Sequence, residues 1–373
     1  MKAIERVSSK ITALLFVILL FAAIVYKGGI WYMPNIFNQY LVSANLMHKP
    51  LSGGDPDYLY ENYLEPLLFH LVGGEGLGAY LLFTLLTTLL FIALFAVWLY
   101  RYYADEEEKR LFIMLVPTLF PVFSYSLYWV GMDGMTLMLL FLATINYRNA
   151  FGIFFAFLLG MQHASQGVAA FALLLGSIAI SGRDFEELKS VGRVLLAVVA
   201  GKILLAIWLH LNGIDIVMDR ARIMRDYLDA HIGYWRESYV AILYSIFGLA
   251  WPMILLYYRK LYPLIAASAV AFLFVMSVAD ESRVAALILF PSTIYWIFMN
   301  RSLLLGIPRL FILSLFVLNL LLPMLFVWEG QSYTSVLERD LPALVDLLEG
   351  RRVDLMSPFG RGGKWHFEIS LPR

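Results

Sequence analysis

The chain has 373 residues, 61% of them hydrophobic and 15% charged, with a mean hydropathy of +0.75 and a formal net charge of zero. Soluble domains average about 45–50% apolar and about 25% charged residues, so a water-soluble fold would expose large apolar patches, and a polytopic membrane protein is expected instead. Zero net charge gives no footing for nucleic acid, and the absence of cysteine excludes disulfides, thiolate nucleophiles and cysteine-based zinc sites.

At the N-terminus, Lys2, Arg6 and Lys10 precede an apolar run from Ile11 to about Tyr26. No small-x-small cleavage site leads into a polar mature segment, so the run reads as an uncleaved first span. Crossing a bilayer takes about 20 apolar residues in a helix. Spans are accordingly expected at residues 11–27, 76–100, 111–130, 133–147, 192–212, 239–258, 263–279, 284–300 and 308–328. Residues 151–181 are too many for one span and few for two. The polar run Met161-Gln162-His163-Ala164-Ser165-Gln166-Gly167 interrupts them, so two short helices, 151–162 and 166–181, are expected to meet there. Non-helical backbone at membrane depth survives only where protein or water covers its amides, so this break is expected to line a cavity. The fold class is therefore all-α: a polytopic transmembrane helical bundle of about eleven spans, with short central helices and amphipathic outer-loop helices. Residues 1–328 form the bundle, with an outer loop over 28–75, and 329–373 form an extracytoplasmic C-terminal tail.

Basic residues in short loops set the orientation. Lys2/Arg6/Lys10, Arg101/Lys109/Arg110, Arg148, Arg183/Lys189/Arg193, Arg259/Lys260 and Arg301/Arg309 recur after alternate spans, provided that 151–181 crosses twice. This puts the N-terminus in the cytoplasm and residues 28–75, 131–132, 163–165, 213–238, 280–283 and 329–373 outside. Trp31, Trp129, Trp235 and Trp328 fall at the outer boundaries, where indoles favour the headgroup region. Tyr58 to Val72 alternates polar residues with Leu and Phe at helical spacing, as in an amphipathic helix lying in the interface plane and stopped by Gly73-Gly74. Residues 214–232 read as a second such helix.

The outer segments hold most of the chemically capable side chains. Asp55, Asp57, Glu61 and Glu65 crowd the first loop; Glu61 and Glu65, four apart, share one face of a helix. Such a pair suits a divalent metal (Mg or Mn) or a general base with a raised pKa, while Asp55 and Asp57 flank a proline and equally suit N-capping. Asp280-Glu281-Ser282-Arg283 turns between two spans; the guanidinium suits a phosphate, and a self-neutralising ion pair is the plainer reading. Arg220, Arg222 and Arg225 form a basic cluster that fits lipid headgroups, specifically or not. His163 sits in the break of the short-helix pair. Asp133 starts a span and reads equally as a cap, and Lys202 is the one charge well inside a span. No Walker loop, dinucleotide fingerprint, Gly-x-Ser-x-Gly or His-Glu-x-x-His is present.

The first hundred residues resemble the GT-C superfamily of membrane glycosyltransferases, which use polyprenyl-phosphate-linked sugars. The resemblance rests on Asn35-Ile36-Phe37-Asn38-Gln39-Tyr40-Leu41-Val42-Ser43-Ala44-Asn45-Leu46, then Lys49-Pro50-Leu51, Tyr60, Tyr63 and Leu64-Glu65-Pro66-Leu67-Leu68. It implies a lipid-linked sugar donor, a glycan, lipid or protein acceptor, and action at the outer face of a bacterial-type inner membrane. Asn35 and Asn38 stand where such families usually place the base Asp. If the fold is shared, the base comes instead from Asp55, Asp57, Glu61 or Glu65, or from Asp280 or Glu281; Glu61 or Glu65 is preferred, with Asp57 and Asp280 as metal or acceptor ligands. Arg220, Arg222, Arg225 and Arg283 would bind the phosphate, and His163 and Glu281 would line the site. Two other functions are weighed. A polysaccharide polymerase or ligase joining lipid-diphosphate-linked glycans needs a larger outer loop. A transporter or lipid flippase predicts charges at mid-membrane and inverted repeats, of which only Lys202 is seen.

Overall fold

The computed structural model describes residues 14–15, 17–27, 40, 42–44, 60, 62–128, 132–214, 225, 228, 239–278, 280–322, 324–328, 331–335 and 366–368. Helix α1 spans Val17–Lys27. A short α2 (Leu64–Leu71) leads through a glycine turn into α3 (Leu77–Tyr102). Helix α4 (Glu107–Leu115) passes through a 3-10 turn (Val116–Leu119) to α5 (Pro121–Tyr128). Then come α6 (Met132–Ile145), α7 (Ala150–Ile180) and α8 (Phe185–Leu211). Helices α9 (Tyr239–Leu256) and α10 (Tyr258–Val275) precede α11 (Glu281–Thr293), which continues in a π-turn (Ile294–Phe298). The short α12 (Arg301–Leu304) and α13 (Arg309–Leu321) complete the helical part.

Five of these, α3, α7, α8, α9 and α10, are long and apolar enough to cross a membrane. Three shorter apolar helices, Val17–Lys27, Asp133–Ile145 and Arg309–Leu321, accompany them. Helices of this length and composition mark a membrane protein. The expected span over 111–130 is broken into α4, the 3-10 turn and α5. Pro117 lies inside the turn and Pro121 opens α5, and each lacks the N–H that a continuous helix would use.

Helix α7 is not straight. His163 has φ −159 and ψ 73, outside the helical region. A straight helix of 31 residues would hold its ends about 46 Å apart. Instead the two ends meet. Arg148, just before α7, lies 2.5 Å from Glu187, and Arg183, just after it, lies 3.7 Å from the same carboxylate. A Cβ placed on Gly167 would meet Leu159 Cδ2 at 2.9 Å, although eight positions separate them. The two arms therefore fold back on each other about His163, at the polar run where two short helices were expected to meet. The first arm packs on α8 with no room for side chains: a Cβ on Gly160 would fall 2.1 Å from Val198 O, and one on Gly201 2.0 Å from Phe157 O. Small residues at helix contacts let backbones approach, and in a bilayer close packing takes over the role that water exclusion plays elsewhere.

The polar loops sort to two ends. At one end Tyr102 and Tyr103 donate to the carbonyls of Met299 and Phe298 at 2.9 Å, and Tyr257 to Gly306 O at 2.9 Å. Arg301 reaches Asp105 at 3.4 Å, Arg309 reaches Glu108 at 2.5 Å, and Lys109 bonds Leu305 O. At the other end lie the fold-back of α7, the starts of α6 and α11, and α2. Between them runs an aromatic core in which Phe91 stacks on Phe123 at 6.0 Å, and Phe95 meets Phe141 and Phe298 edge-on at 5.3 Å each.

Two elements expected on the outer side differ from expectation. Helix α2 is packed into the bundle rather than resting in the interface plane. Leu64, Glu65, Pro66 and Phe69 are buried, with Phe69 against Tyr80 and Phe83 at 5.1 and 5.5 Å. Gly73 (φ 72) ends it as the sequence implied, because glycine takes a positive φ without strain. The last apolar run does not stay helical to 328. Leu322 has ψ 141, the extended backbone that precedes a proline. Residues Leu325–Trp328 then form β1, antiparallel to β2 (Gln331–Ser335), which pairs with β3 (His366–Glu368). This small sheet sits on the bundle: Ser282 Oγ accepts from Val327 N at 3.0 Å, and Tyr125 donates to Leu325 O at 2.9 Å.

Candidate functional site

Acidic side chains gather near the start of α11, the helix on which β1 rests through Ser282. Glu65 is the second residue of α2, Asp133 the second of α6, and Asp280 immediately precedes α11. The three helices begin at the same end of the bundle, which brings together acids from distant parts of the chain. Glu65 and Asp133 are each 1% exposed, and Glu281 is fully buried. Buried carboxylates need partners, and the one that organises this group is Arg283. Its NH1 donates to Asp133 Oδ1 at 2.9 Å and its Nε to Asp280. A planar guanidinium holds two carboxylates at once because its donors point along separate edges.

Glu65 stands just outside this grip. Its backbone N–H donates to Gln162 Oε1 at 2.9 Å, and its side chain also bonds Gln162. Among the described residues its buried Oε1 meets no hydrogen-bond partner, and neither does Oδ2 of Asp133. Burial first, and the charge of Asp133 second, push the Glu65 carboxyl well above the usual range, with Gln162 pulling it partly back. Asp280 is pushed up to about 6, by burial against the opposing pull of Arg283. The site thus couples a salt-bridged pair of aspartates to a carboxyl that keeps its proton to higher pH than an exposed one.

The fold-back of α7 supplies the roof. Met161 O accepts from Tyr63 N at 3.2 Å, so the segment before α2 hangs on the residues just ahead of the bend. His163 is buried, Ser165 Oγ lies 3.3 Å from its Nδ1, and Arg283 and Lys202 are the cations within electrostatic range.

Of the sequence candidates, the structure brings Glu65, Asp280, Glu281, Arg283 and His163 to one end of the bundle. Arg225 is described and exposed. Glu61, Asp57, Asp55, Arg220 and Arg222 lie outside the described residues. As for Mg or Mn, no group of three or more His, Asp or Glu side chains among the described residues is arranged to hold a metal ion. Asp280, one of the two proposed metal ligands, is turned onto Arg283 instead, so the described donor set does not fit a cation.

Asp133 and Gln162 emerge as central members. Asp133 had a visible signal, as a lone acid opening an apolar helix, but capping explained it equally well. Compared with models of known protein families, with curated proteins and with solved structures, the chain matches none.

Proposed function

We propose that this chain is a membrane glycosyltransferase that moves a sugar from a polyprenyl-phosphate donor to an acceptor hydroxyl at the outer face of a bacterial-type inner membrane. In this reading the chain makes eleven passes, counting the two arms of α7 separately. Its N-terminus is cytoplasmic and the Glu65–Asp133–Arg283–Asp280 group is extracytoplasmic. Support for the sidedness is that the described basic loops, from Arg101 to Arg309, belong to the end opposite the acids, while Lys2, Arg6 and Lys10 lie outside the described residues.

The observation that carries the proposal is Glu65. It is a buried carboxyl with a raised pKa, a guanidinium-bound aspartate beside it and one oxygen that meets no hydrogen-bond partner among the described residues. Once ionised, such a carboxylate is a stronger base than an exposed one, and base strength near the working pH is what proton abstraction needs. In the transfer step the acceptor oxygen bonds to the sugar's anomeric carbon, and its proton goes to Glu65. The bond from that carbon to the phosphate oxygen breaks, and polyprenyl phosphate leaves with the electron pair. Arg283 already holds Asp133 and Asp280, so its part is to fix Asp133 beside Glu65 rather than to meet the phosphate. Among the described residues the ionisable groups sort to the two ends, with Lys202 inside α8 as the exception, which weighs against a transport path through the bilayer.

The test is sugar transfer from a polyprenyl-phosphate donor in proteoliposomes. Glu65→Gln should cost at least ~10²-fold, the usual contribution of a general base, and Asp133→Asn and Asp280→Asn should also reduce transfer. Undiminished activity in all three variants would overturn the assignment.

A further inference from the structure

The end of the bundle away from the acids holds a cleft of about 440 Å³ that the transfer reaction does not use. Arg148, Arg183 and Arg301 line it, and Glu187 is its one acid. Each guanidinium is oriented by an aromatic ring. Arg148 lies over Tyr147 at 5.3 Å, Arg183 over Trp296 and Tyr295 at 4.8 and 5.3 Å, and Arg301 over Tyr103 and Tyr102 at 5.7 and 5.8 Å. Stacking fixes the plane of a guanidinium while leaving its edge N–H groups available, so less rotamer freedom is lost when an anion binds.

The neighbouring acids use only part of this donor capacity. An arginine carries five N–H donors. Glu187 takes one bond from Arg148 at 2.5 Å and another from the Tyr295 hydroxyl, and it stands 3.7 Å from Arg183. Arg301 reaches Asp105 and Glu106 at 3.4 and 3.8 Å, and Asp105 is 78% exposed, so this is a weak, water-screened pair. The loops are stiffened by their own amides: Asn149 Oδ1 accepts from Phe151 N at 2.9 Å, and Asn300 Oδ1 from Leu303 N at 3.2 Å.

The geometry points to a second ligand site here, for a phosphate group carried on an organic molecule. Guanidinium edges match phosphate oxygens two at a time. The volume exceeds that of a bare ion and lies in the range of small-molecule pockets, about 300–1,000 Å³. Two sources offer that chemistry, an anionic lipid headgroup and a soluble phosphate ester.

The experiment is thermal unfolding of the full chain in two arms. One arm adds inorganic pyrophosphate to detergent-solubilised protein at constant ionic strength. The other compares nanodiscs of phosphatidylglycerol with nanodiscs of phosphatidylcholine. The expected result is a rise in unfolding midpoint in at least one arm, and the arm that responds identifies the source. Arg148→Gln and Arg183→Gln should each weaken the effect by about tenfold or more, the loss expected for one charge-assisted hydrogen bond. Arg259→Gln removes a cation of the same end that lies over Tyr258, outside the cleft, and should leave the effect intact. Arg148 is 65% exposed, so its replacement keeps the fold even if that of Arg183 does not. The proposal fails if neither arm responds, if Arg148→Gln responds like the parent chain, or if Arg259→Gln loses the effect equally.

Discussion

The two ends of this bundle use the same ion-pair chemistry in opposite surroundings. At one end the side chains of Arg283 and Asp133 are 13% and 2% exposed, so the pair is shut away from water. At the other, Arg309 is 42% exposed and Glu108 84%. Exposed pairs contribute about 0–1 kcal/mol. A buried pair adds little net stability but becomes costly when one member is removed, because the other charge is left unpaired. The acid end therefore holds its members in one fixed arrangement, which is what the proposed transfer reaction needs. The arginine end is a set of adjustable contacts, which suits orientation in the membrane and ligand capture.

The broadest way to break this comparison is to test whether the two ends face opposite compartments. The native chain has no cysteine, so single cysteines give a clean background. Ala150→Cys and Ser181→Cys, at the two ends of α7, should react with a membrane-impermeant maleimide from the same side of sealed vesicles. Leu211→Cys, at the far end of α8, should react from the other side. Labelling of 150 and 181 from opposite sides would show a straight α7 and dissolve the acid site, since Gln162 would no longer be held against Glu65.

The next largest effect belongs to Arg283. Arg283→Leu strands Asp133 and Asp280 in a buried setting, and breaking a buried pair costs about 3–5 kcal/mol. The unfolding midpoint in detergent should fall by many degrees. Adding Asp133→Asn and Asp280→Asn to the same chain should restore most of the loss, and a triple variant no more stable than the single one would contradict the pairing. Glu65→Gln, in contrast, should leave the midpoint nearly unchanged while abolishing transfer, because the amide keeps the contact with Gln162 and removes only the titration.

Much of this arrangement was legible in the sequence. The described loop arginines and lysines at alternate-span spacing, from Arg101 to Arg309, do gather at one end, and the Gln162-His163-Ala164-Ser165-Gln166 run marked the fold-back, because polar residues there cannot face lipid. Glycines 73 and 74 marked the end of α2. The pairing of Arg283 with Asp133 was not legible: 150 residues separate them, and no local pattern encodes which acid a buried arginine will meet. The sheet was hidden for another reason. Leu325-Phe326-Val327-Trp328 is a short apolar run, and such runs read equally as helix end or strand. Only the extended backbone forced at Leu322 decides between them. The burial of α2 was likewise invisible, since a helix with one apolar face fits an interface plane as well as a bundle.

A smaller effect is the pH dependence, where the two ends should again part. Asp280 titrates near 6 in the folded chain against an ordinary value of 3.8, and the Glu65 carboxyl is shifted in the same direction. A carboxyl raised on folding binds its proton more tightly in the folded state. The stability it adds is therefore complete below about pH 4 and is lost as pH climbs through 6. Transfer, which needs Glu65 ionised, should rise over the same range and beyond. Unfolding midpoints and transfer rates measured from pH 4 to 8 should therefore move in opposite directions, and Asp280→Asn should flatten the stability curve. Parallel curves would remove the titrating carboxyls from the argument.

The smallest expected change is at the arginine end. Arg309→Gln breaks the contact with Glu108 and the cation–π contact with Phe112 at 5.9 Å. Both side chains stay hydrated, so no charge is left buried, and the cost should be no more than about 1 kcal/mol. Raising the salt concentration should erase even that difference, because exposed pairs are screened within about 10 Å at 0.1 M, whereas the deficit of Arg283→Leu should persist. A loss at Arg309 as large and as salt-resistant as the one at Arg283 would mean that the two ends do not differ in dielectric surroundings, and the division between a chemical end and an adjustable one would have no physical basis.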